Sequence, residues 1–325
     1  MRRDVNIELL RIVLMFGIIW LHCSQQGGRF EETKNICYLM RPCVVCFVFL
    51  SGWFGIRAGN LIGKILKLIL LGFVCAFLSV LINSIYNGSV DILHVLKDSY
   101  LSLVKGYWFL WAYIGLMMLS PILNTAVEGS EKSVNLRILP LIIMIFLGAF
   151  LTHIPVIKNY IPQSAGITSL SCLMMAAVYV VARVIQLRGY ERYLFCKWFL
   201  ILALISVIFC YFGFSHYASP FGMIVAVFLF AIVRKIQIPK MFHGVIYFIA
   251  PSMFAVYLIH QAVHGFSFVR EGMQIAAKFS SSAILQTFIA STFVLACCMF
   301  IDFIRRGFAY IVLRIKRDCC HLFRV

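Results

Sequence analysis

The stretch IELLRIVLMFGIIWLHC, residues 7–23, decides the fold of this chain. It supplies most of the roughly 20 mainly apolar residues that a helix needs to cross a bilayer. Yet it carries Glu8 and Arg11 near its start and His22 near its end. Ionisable side chains are costly inside a membrane, so each of these three residues is a candidate functional residue.

The rest of the chain has the same character. Apolar residues make up 62% of its 325 residues and charged residues 13%, against about 25% in soluble domains. No polar segment is long enough for a folded soluble domain. We therefore predict an all-α polytopic membrane protein, with one transmembrane domain over residues 1–304 and a basic cytoplasmic tail over residues 305–325. The ten predicted transmembrane helices cover residues 8–23, 36–56, 61–85, 107–123, 138–154, 164–185, 198–214, 219–233, 245–264 and 282–304.

The basic residues predict how these helices are oriented. If both termini are cytoplasmic, 20 of the 29 lysines and arginines fall in cytoplasmic segments and seven in outer ones. This bias follows the positive-inside rule and favours a multi-pass protein of the cell (inner, cytoplasmic) membrane. The net charge is +17, but the chain contains no run of five or six basic residues. We therefore expect the lipid bilayer, and no nucleic acid, as a partner.

Helical geometry relates the polar residues of the first helix. Eleven residues at about 100° each leave Arg11 and His22 only about 20° apart in rotation and about 16 Å apart along the axis. Glu8 lies one turn before Arg11 and is expected to pair with it. Two alternatives stay open: Arg11 as an interfacial residue that extends to the headgroups, and His22 as a neutral imidazole bonded to a neighbouring helix.

Three further cations are candidates for substrate binding. Arg41 lies near the outer end of the second helix, at a depth comparable to that of His22, and either faces the same cavity or extends to the outer headgroups. Lys64 and Lys67 share one face at the cytoplasmic start of the third helix. They either bind the phosphates of a nucleotide-like ligand or are ordinary positive-inside residues.

Aromatic and histidine residues complete the candidate site. Trp108 suits an interfacial belt. The stretch FAVYLIHQAVHG, residues 254–265, places His260 one turn from both Tyr257 and His264. Two histidines one turn apart can ligate a metal, but no carboxylate or third histidine is near in sequence, so no metal is expected.

These patterns, in this order, resemble the membrane acyltransferase-3 family, whose members O-acetylate bacterial surface polysaccharides. Arg11 and His22 match its pattern of arginine, ten residues, histidine. FVFLSG, residues 47–52, is similar to its Phe-x-x-x-Ser-Gly pattern, and residues 108–124 to its Trp-Phe-Leu through Pro-x-x-Asn pattern. YLIH, residues 257–260, resembles a late-helix pattern. The chain departs from the family at Lys64-x-x-Lys67, where many members have two arginines.

The resemblance implies an O-acyltransferase that moves an acetyl or similar short acyl group from cytoplasmic acyl-CoA to a glycan hydroxyl. Acyl-CoA would be a co-substrate, with no bound cofactor, and polysaccharide-synthesis proteins are possible partners. His22 would be the general base or an acyl relay, and Arg11 would orient the donor as a second catalytic residue. The residues expected to bind substrate are Arg41, Lys64, Lys67, Trp108, Tyr257 and His260.

Two other classes of function stay open. In a transporter or exporter of a glycan or small organic acid, the buried cations would line a permeation path. In a scaffold within a polysaccharide synthase complex, buried titratable residues would be unnecessary.

Overall fold

A computed structural model of the chain describes residues 4–57, 59–128, 163–215 and 219–322, and all regular structure in these ranges is helical. A π-helix spans Ser102–Gly106, and short 3₁₀ segments span Tyr190–Phe195 and Ala250–Ser252. The α-helices are α1 Val5–Gln26, α2 Phe30–Met40, α3 Pro42–Phe54, α4 Leu61–Tyr86, α5 Ile92–Leu101, α6 Trp108–Glu128, α7 Gln163–Leu187, α8 Lys197–Tyr211, α9 Pro220–Lys235, α10 Lys240–Ile249, α11 Met253–His260, α12 Phe268–Ala277 and α13 Ala283–Leu322.

The predicted all-α, multi-pass architecture is confirmed. Six stretches are long and apolar enough to cross a membrane: Val5–Gln26, Phe30–Phe54, Leu61–Tyr86, Trp108–Glu128, Lys240–His260 and Ala283–Ile311. Three further predicted helices form as α7, α8 and α9, of which α8 has 15 residues and α9 has 16. The helix predicted at residues 138–154 lies outside the described residues. The count of ten and the cytoplasmic orientation of the termini therefore stay predictions.

Two helices in the links were not predicted. Residues 92–101 and 268–277, which lie between predicted transmembrane helices, form α5 and α12. Asp91 caps α5, because its carboxylate accepts a hydrogen bond from the backbone N–H of Leu93 at 3.0 Å. The predicted tail is also helical, since α13 continues through it as far as Leu322.

Apolar side chains cover much of the outer surface of the bundle. On α4, Ile62, Leu66 and Leu70 form a stripe at i, i+4 spacing and are each at least 60% exposed. Exposed apolar stripes of this length are costly in water and suit lipid contact, because acyl chains are themselves apolar. The exposure pattern thus agrees with the predicted membrane environment.

The interior is built around α1, which packs on α2, α3, α9, α10, α11, α12 and α13. Leu10, Leu14 and Ile19 of α1 are fully buried. Close helix packing elsewhere depends on small residues. At Gly52 of α3 an added Cβ would lie 2.3 Å from the Tyr179 carbonyl oxygen of α7, so only glycine allows this approach.

Several helix ends meet at one end of the bundle, which we call the basic end. The Asn6 side chain at the start of α1 donates to the Val233 carbonyl at the end of α9, at 2.8 Å. Asn124 of α6 donates to the Ile56 carbonyl after α3 at 2.9 Å, and the Tyr179 hydroxyl of α7 donates to Asn124 Oδ1 at 2.7 Å. The start of α1 therefore lies with the ends of α3, α6, α7 and α9, as the predicted alternation of these helices requires.

Candidate functional site

His22 and His260 are in direct contact, although 238 residues separate them. His22 Nδ1 on α1 lies 2.9 Å from His260 Nε2 on α11. His260 is buried and His22 is partly buried. The spacing in the sequence placed His260 one helical turn from Tyr257 and from His264. The contact between His260 and His22 was not indicated by this spacing and is found only in the structure.

The hydrogen-bond partners determine which ring nitrogens carry protons. His260 Nδ1 lies 2.7 Å from the Val256 carbonyl oxygen, which can only accept, so Nδ1 carries the proton. In a neutral ring His260 Nε2 is then an acceptor, and His22 Nδ1 must donate to it. The amide nitrogen of Gln261, Nε2, is placed 2.7 Å from the same His22 Nδ1. The nitrogen and oxygen of a side-chain amide are assigned from the hydrogen-bond network, and a donating Nδ1–H requires this amide to be turned so that its oxygen faces the ring. His22 Nε2 is left with its lone pair.

The position of α11 is held by the segment before α6. The Tyr107 hydroxyl donates to the Leu258 carbonyl at 2.6 Å, and the Ser102 hydroxyl accepts from the His264 backbone N–H at 3.2 Å. Ser102 lies in the π-helix Ser102–Gly106, a type of distortion that is frequent at functional sites. These two bonds join the helix that carries His260, and the turn after it, to the segment before α6.

A small apolar cavity of about 50 Å³ lies beside His22, and we call it the histidine cavity. Phe47, Trp108, Phe109 and Tyr257 are among the residues that line it. Because a water molecule takes about 30 Å³ in the liquid, the cavity has room for one or two groups of that size. Its size and apolar wall suit a short acyl group.

The Phe-x-x-x-Ser-Gly segment contributes to this site in three ways. Phe47 lines the histidine cavity, and Gly52 permits the close packing of α3 on α7. Between them Ser51 Oγ lies 3.2 Å from the Tyr113 hydroxyl of α6, within hydrogen-bonding distance. Tyr113 in turn stacks on Phe109, one turn earlier on α6, with ring centroids 6.1 Å apart.

Two clefts open at the basic end, and we call them together the basic vestibule. One has a volume of about 470 Å³ and is lined by residues that include Arg57, Lys64 and Tyr113. The other has a volume of about 630 Å³ and is lined by residues that include Arg57, Glu128 and Arg183. Both share the backbone of residues 54–57 and have the size of typical ligand pockets.

The vestibule and the histidine cavity lie on successive turns of α6, and α3 contributes to the wall of both. Tyr113 lines the vestibule, whereas Phe109, four residues earlier, lines the histidine cavity. One helical turn is about 5.4 Å. The hydrogen bond between Ser51 and Tyr113 therefore lies between the two spaces.

The predicted cations fall in different places. Lys64 lines the vestibule, and its Nζ donates to the Arg57 carbonyl at 2.8 Å. Lys67 is exposed, and the residues described as lining the vestibule do not include it. Arg11 pairs with the buried Glu8 at 3.1 Å, which confirms the pairing predicted from their spacing.

Arg41 lies at the junction of α2 and α3, where its guanidinium stacks over the Tyr38 ring, 4.7 Å from the centroid. Among the described residues, those lining the histidine cavity do not include Arg41. Trp108 and Tyr257 do line it, as their predicted role in substrate binding requires. The functions of all these residues stay predictions.

Several residues of the site were not singled out from sequence, among them Gln261, Tyr113, Glu128 and Arg183. Gln261 and Tyr113 have no local pattern that distinguishes them from other membrane residues. Arg183 was counted only as one of the positive-inside residues. The chemistry available at the histidine cavity is acid–base or nucleophilic, and within the described ranges no three His, Cys, Asp or Glu residues cluster closely enough to hold a metal ion.

Comparison with known families agrees with these features. A family model described as an acyltransferase domain matches residues 4–303, which include every residue of the histidine cavity and the basic vestibule. No curated protein and no solved structure gives a significant match. Because the family model covers nearly the whole chain, this membrane protein belongs to the acyltransferase-3 family.

Proposed function

We propose that this protein transfers an acetyl or similarly short acyl group from acyl-CoA to a hydroxyl group of a cell-surface or lipid-linked polysaccharide. Family membership supports acyl transfer. The observation that carries the proposal is the imidazole of His22, held by His260 so that the Nε2 lone pair is available beside a small apolar cavity. Acyl-CoA is a co-substrate that would enter from the basic end.

His22 would act as the general base. Its Nε2 takes the proton of the acceptor hydroxyl while the hydroxyl oxygen attacks the thioester carbonyl carbon. The carbon–sulfur bond then breaks, and the CoA thiolate takes the proton from His22 and leaves as the thiol. The lone pair of His260 Nε2 accepts from His22 Nδ1–H throughout and stabilises the imidazolium, as the third group of a catalytic triad does.

An acyl-histidine relay uses the same lone pair. Here His22 Nε2 attacks the thioester carbon itself, the carbon–sulfur bond breaks and CoA leaves as the thiolate. The acceptor hydroxyl oxygen then displaces the acyl group from the ring nitrogen, and the hydroxyl proton goes to the thiolate. Both routes need the tautomer that His260 imposes. Arg41 would steady the developing oxyanion, and for this its guanidinium would leave the Tyr38 ring.

The donor would span the distance between the two spaces. Its phosphates suit the basic vestibule, where Arg57 and Lys64 lie, and Arg11 and Lys67 would add positive charge at the same end. Its extended pantetheine arm would pass between Ser51 and Tyr113. The eleven residues from Arg11 to His22, a rise of about 16 Å, would then correspond to the depth at which the acyl group is transferred.

The test is acyl transfer by membrane vesicles that contain the His22→Ala variant. Vesicles from the native cells are given acetyl-CoA labelled in the acetyl group, and label in the glycan fraction and release of CoA thiol are both measured. Loss of a general base typically lowers the rate by about 10²- to 10⁴-fold. His264→Ala is the matched control, because its side chain is exposed and its hydrogen bonds to Ser102 and Asn83 are made by its backbone.

Normal acetylation by His22→Ala at equal expression would refute the proposal. A transporter or exporter predicts a different result: no thiol release by the wild type, but movement of glycan or organic acid across the same vesicles. The same vesicle preparation therefore distinguishes the acyltransferase from the transporter.

A further inference from the structure

Arg183 forms part of the wall of the basic vestibule near the end of α7. Its side chain is only 15% exposed. Nη1 donates to Gln186 Oε1 at 3.1 Å, and Nη2 donates to the Glu128 carboxylate. Nε is buried and has no hydrogen-bond partner among the described residues. A guanidinium has five N–H donors, so this one retains capacity for a further anion.

Gly55 brings the guanidinium against the backbone that the two clefts share. A Cβ at Gly55 would lie 3.0 Å from both Cζ and Nη1 of Arg183. Gly55 also has φ +69°, a conformation that glycine adopts at little cost. The close approach and the backbone conformation both favour glycine here. Arg183 thus lines one cleft of the vestibule and lies against Gly55, which lines both.

Glu128 is the carboxylate that pairs with Arg183 in the structure. Its side chain is 47% exposed, so water competes for the carboxylate. The end of α6 is meanwhile anchored by Asn124, which donates to the Ile56 carbonyl and accepts from the Tyr179 hydroxyl. Rotation of the Glu128 side chain alone would free Arg183, without movement of the helix.

We propose that Arg183 is an exchangeable anion site, at which a phosphate group of the donor nucleotide displaces the carboxylate of Glu128. The identity of this ligand rests on the proposed function. The planar guanidinium binds phosphate through two parallel hydrogen bonds, a geometry that lysine cannot reproduce. Arg183 thus supplies at this end the bidentate contact that Lys64 and Lys67 lack. Glu128 holds the site while no donor is bound.

The experiment measures binding to the purified full-length protein by calorimetry, with coenzyme A, 3′-dephospho-coenzyme A and pantetheine as probes. Arg183→Gln should weaken coenzyme A binding by about tenfold or more, as expected for a lost hydrogen bond to a charged group. Glu128→Gln should tighten it by about two- to fivefold, because the competing ion pair is lost. Neither variant should change pantetheine affinity, because pantetheine has no phosphate.

Controls separate an anion site from a structural role. Arg192→Gln removes an exposed arginine that stacks on Tyr193 outside the vestibule, and it should leave coenzyme A binding unchanged. In an Arg183→Gln background, Glu128→Gln should have no effect on coenzyme A affinity. Arg183→Lys, which keeps the charge without the fork, should give an intermediate affinity and serves if the glutamine variant does not fold.

Equal coenzyme A affinity in Arg183→Gln and Arg192→Gln would overturn the anion site, as would weaker binding in Glu128→Gln. Either result would leave the proposed function intact if the wild type binds coenzyme A. Absence of coenzyme A binding by the wild type would overturn both proposals. Loss of affinity that is confined to coenzyme A identifies the 3′-phosphate as the ligand group, and an equal loss with dephospho-coenzyme A identifies the pyrophosphate.

Discussion

The contact between His22 and His260 predicts how far His260→Ala lowers activity. In the wild type His260 Nε2 accepts the hydrogen bond from His22 Nδ1–H at 2.9 Å. This bond selects the tautomer of His22 and stabilises the imidazolium that forms when His22 takes a proton. The alanine variant removes the acceptor, and only the amide of Gln261 then remains to hold Nδ1–H.

The expected loss follows from the strength of that hydrogen bond. A hydrogen bond to a charged group contributes about 1.5–3 kcal/mol, and each 1.36 kcal/mol changes a rate about tenfold. We therefore expect His260→Ala to lower kcat by about 10- to 150-fold, less than the effect of His22→Ala. The KM for acetyl-CoA should change little, because His260 is not among the described residues that line the vestibule.

The assay is thiol release and glycan labelling in membrane vesicles at matched expression, with His264→Ala as the control. If His260 acts through His22, the double variant His22→Ala/His260→Ala should be no slower than His22→Ala alone. A normal rate for His260→Ala would refute the tautomer argument. So would a double variant whose loss is the product of the two single losses, since that requires independent roles.

Three further changes test the packing and the path to the cavity. Ser51→Leu should block the passage between the vestibule and the histidine cavity, so the rate of acetyl transfer should fall at least about tenfold. Coenzyme A should still bind, which calorimetry measures. An unchanged rate of transfer would show that the donor takes another path. Gly52→Ala should lower the free energy of unfolding, measured by thermal denaturation in detergent, by about 1–3 kcal/mol, because the added Cβ would lie 2.3 Å from a backbone carbonyl oxygen of α7. Gly244 is exposed and an added Cβ there would contact nothing, so Gly244→Ala should be neutral or slightly stabilising in the same measurement. Asp302→Ala should lower the free energy of unfolding by about 3 kcal/mol in the same measurement, because it removes the buried carboxylate that pairs with two arginines of α13. Glu191→Ala breaks an exposed ion pair and should lower it by less than about 1 kcal/mol.

Local patterns predicted the parts of this protein that depend on short stretches of chain. Apolar runs of sufficient length predicted the membrane helices that the structure describes, because the bilayer thickness sets the length of a span. The i, i+3 spacing predicted the ion pair of Glu8 with Arg11, because residues one turn apart share a helix face. The short helices α5 and α12 were missed because neither is long or apolar enough to stand out as a span.

The candidate site was predicted only in part. His22, Trp108 and Tyr257 were selected by their placement and by the family pattern, and the structure brings them to one cavity. Lys64 reaches the vestibule, whereas Arg41 stacks on a tyrosine of its own segment. The spacing of residues along the sequence does not indicate which conformation a long side chain adopts, since that depends on neighbouring residues from other helices.

What the sequence determined by itself is the membrane-embedded helical class, the placement of many of its charges and the shared face of Arg11 and His22. Only the tertiary structure decided that His260 would hold the His22 ring and that Glu128 would meet Arg183. Lateral packing is poorly encoded in hydrophobic patterns, because lipid chains are as apolar as the side chains they replace. Helices in a bilayer are instead positioned by small residues and a few polar contacts between distant parts of the chain, such as Gly52 with Tyr179.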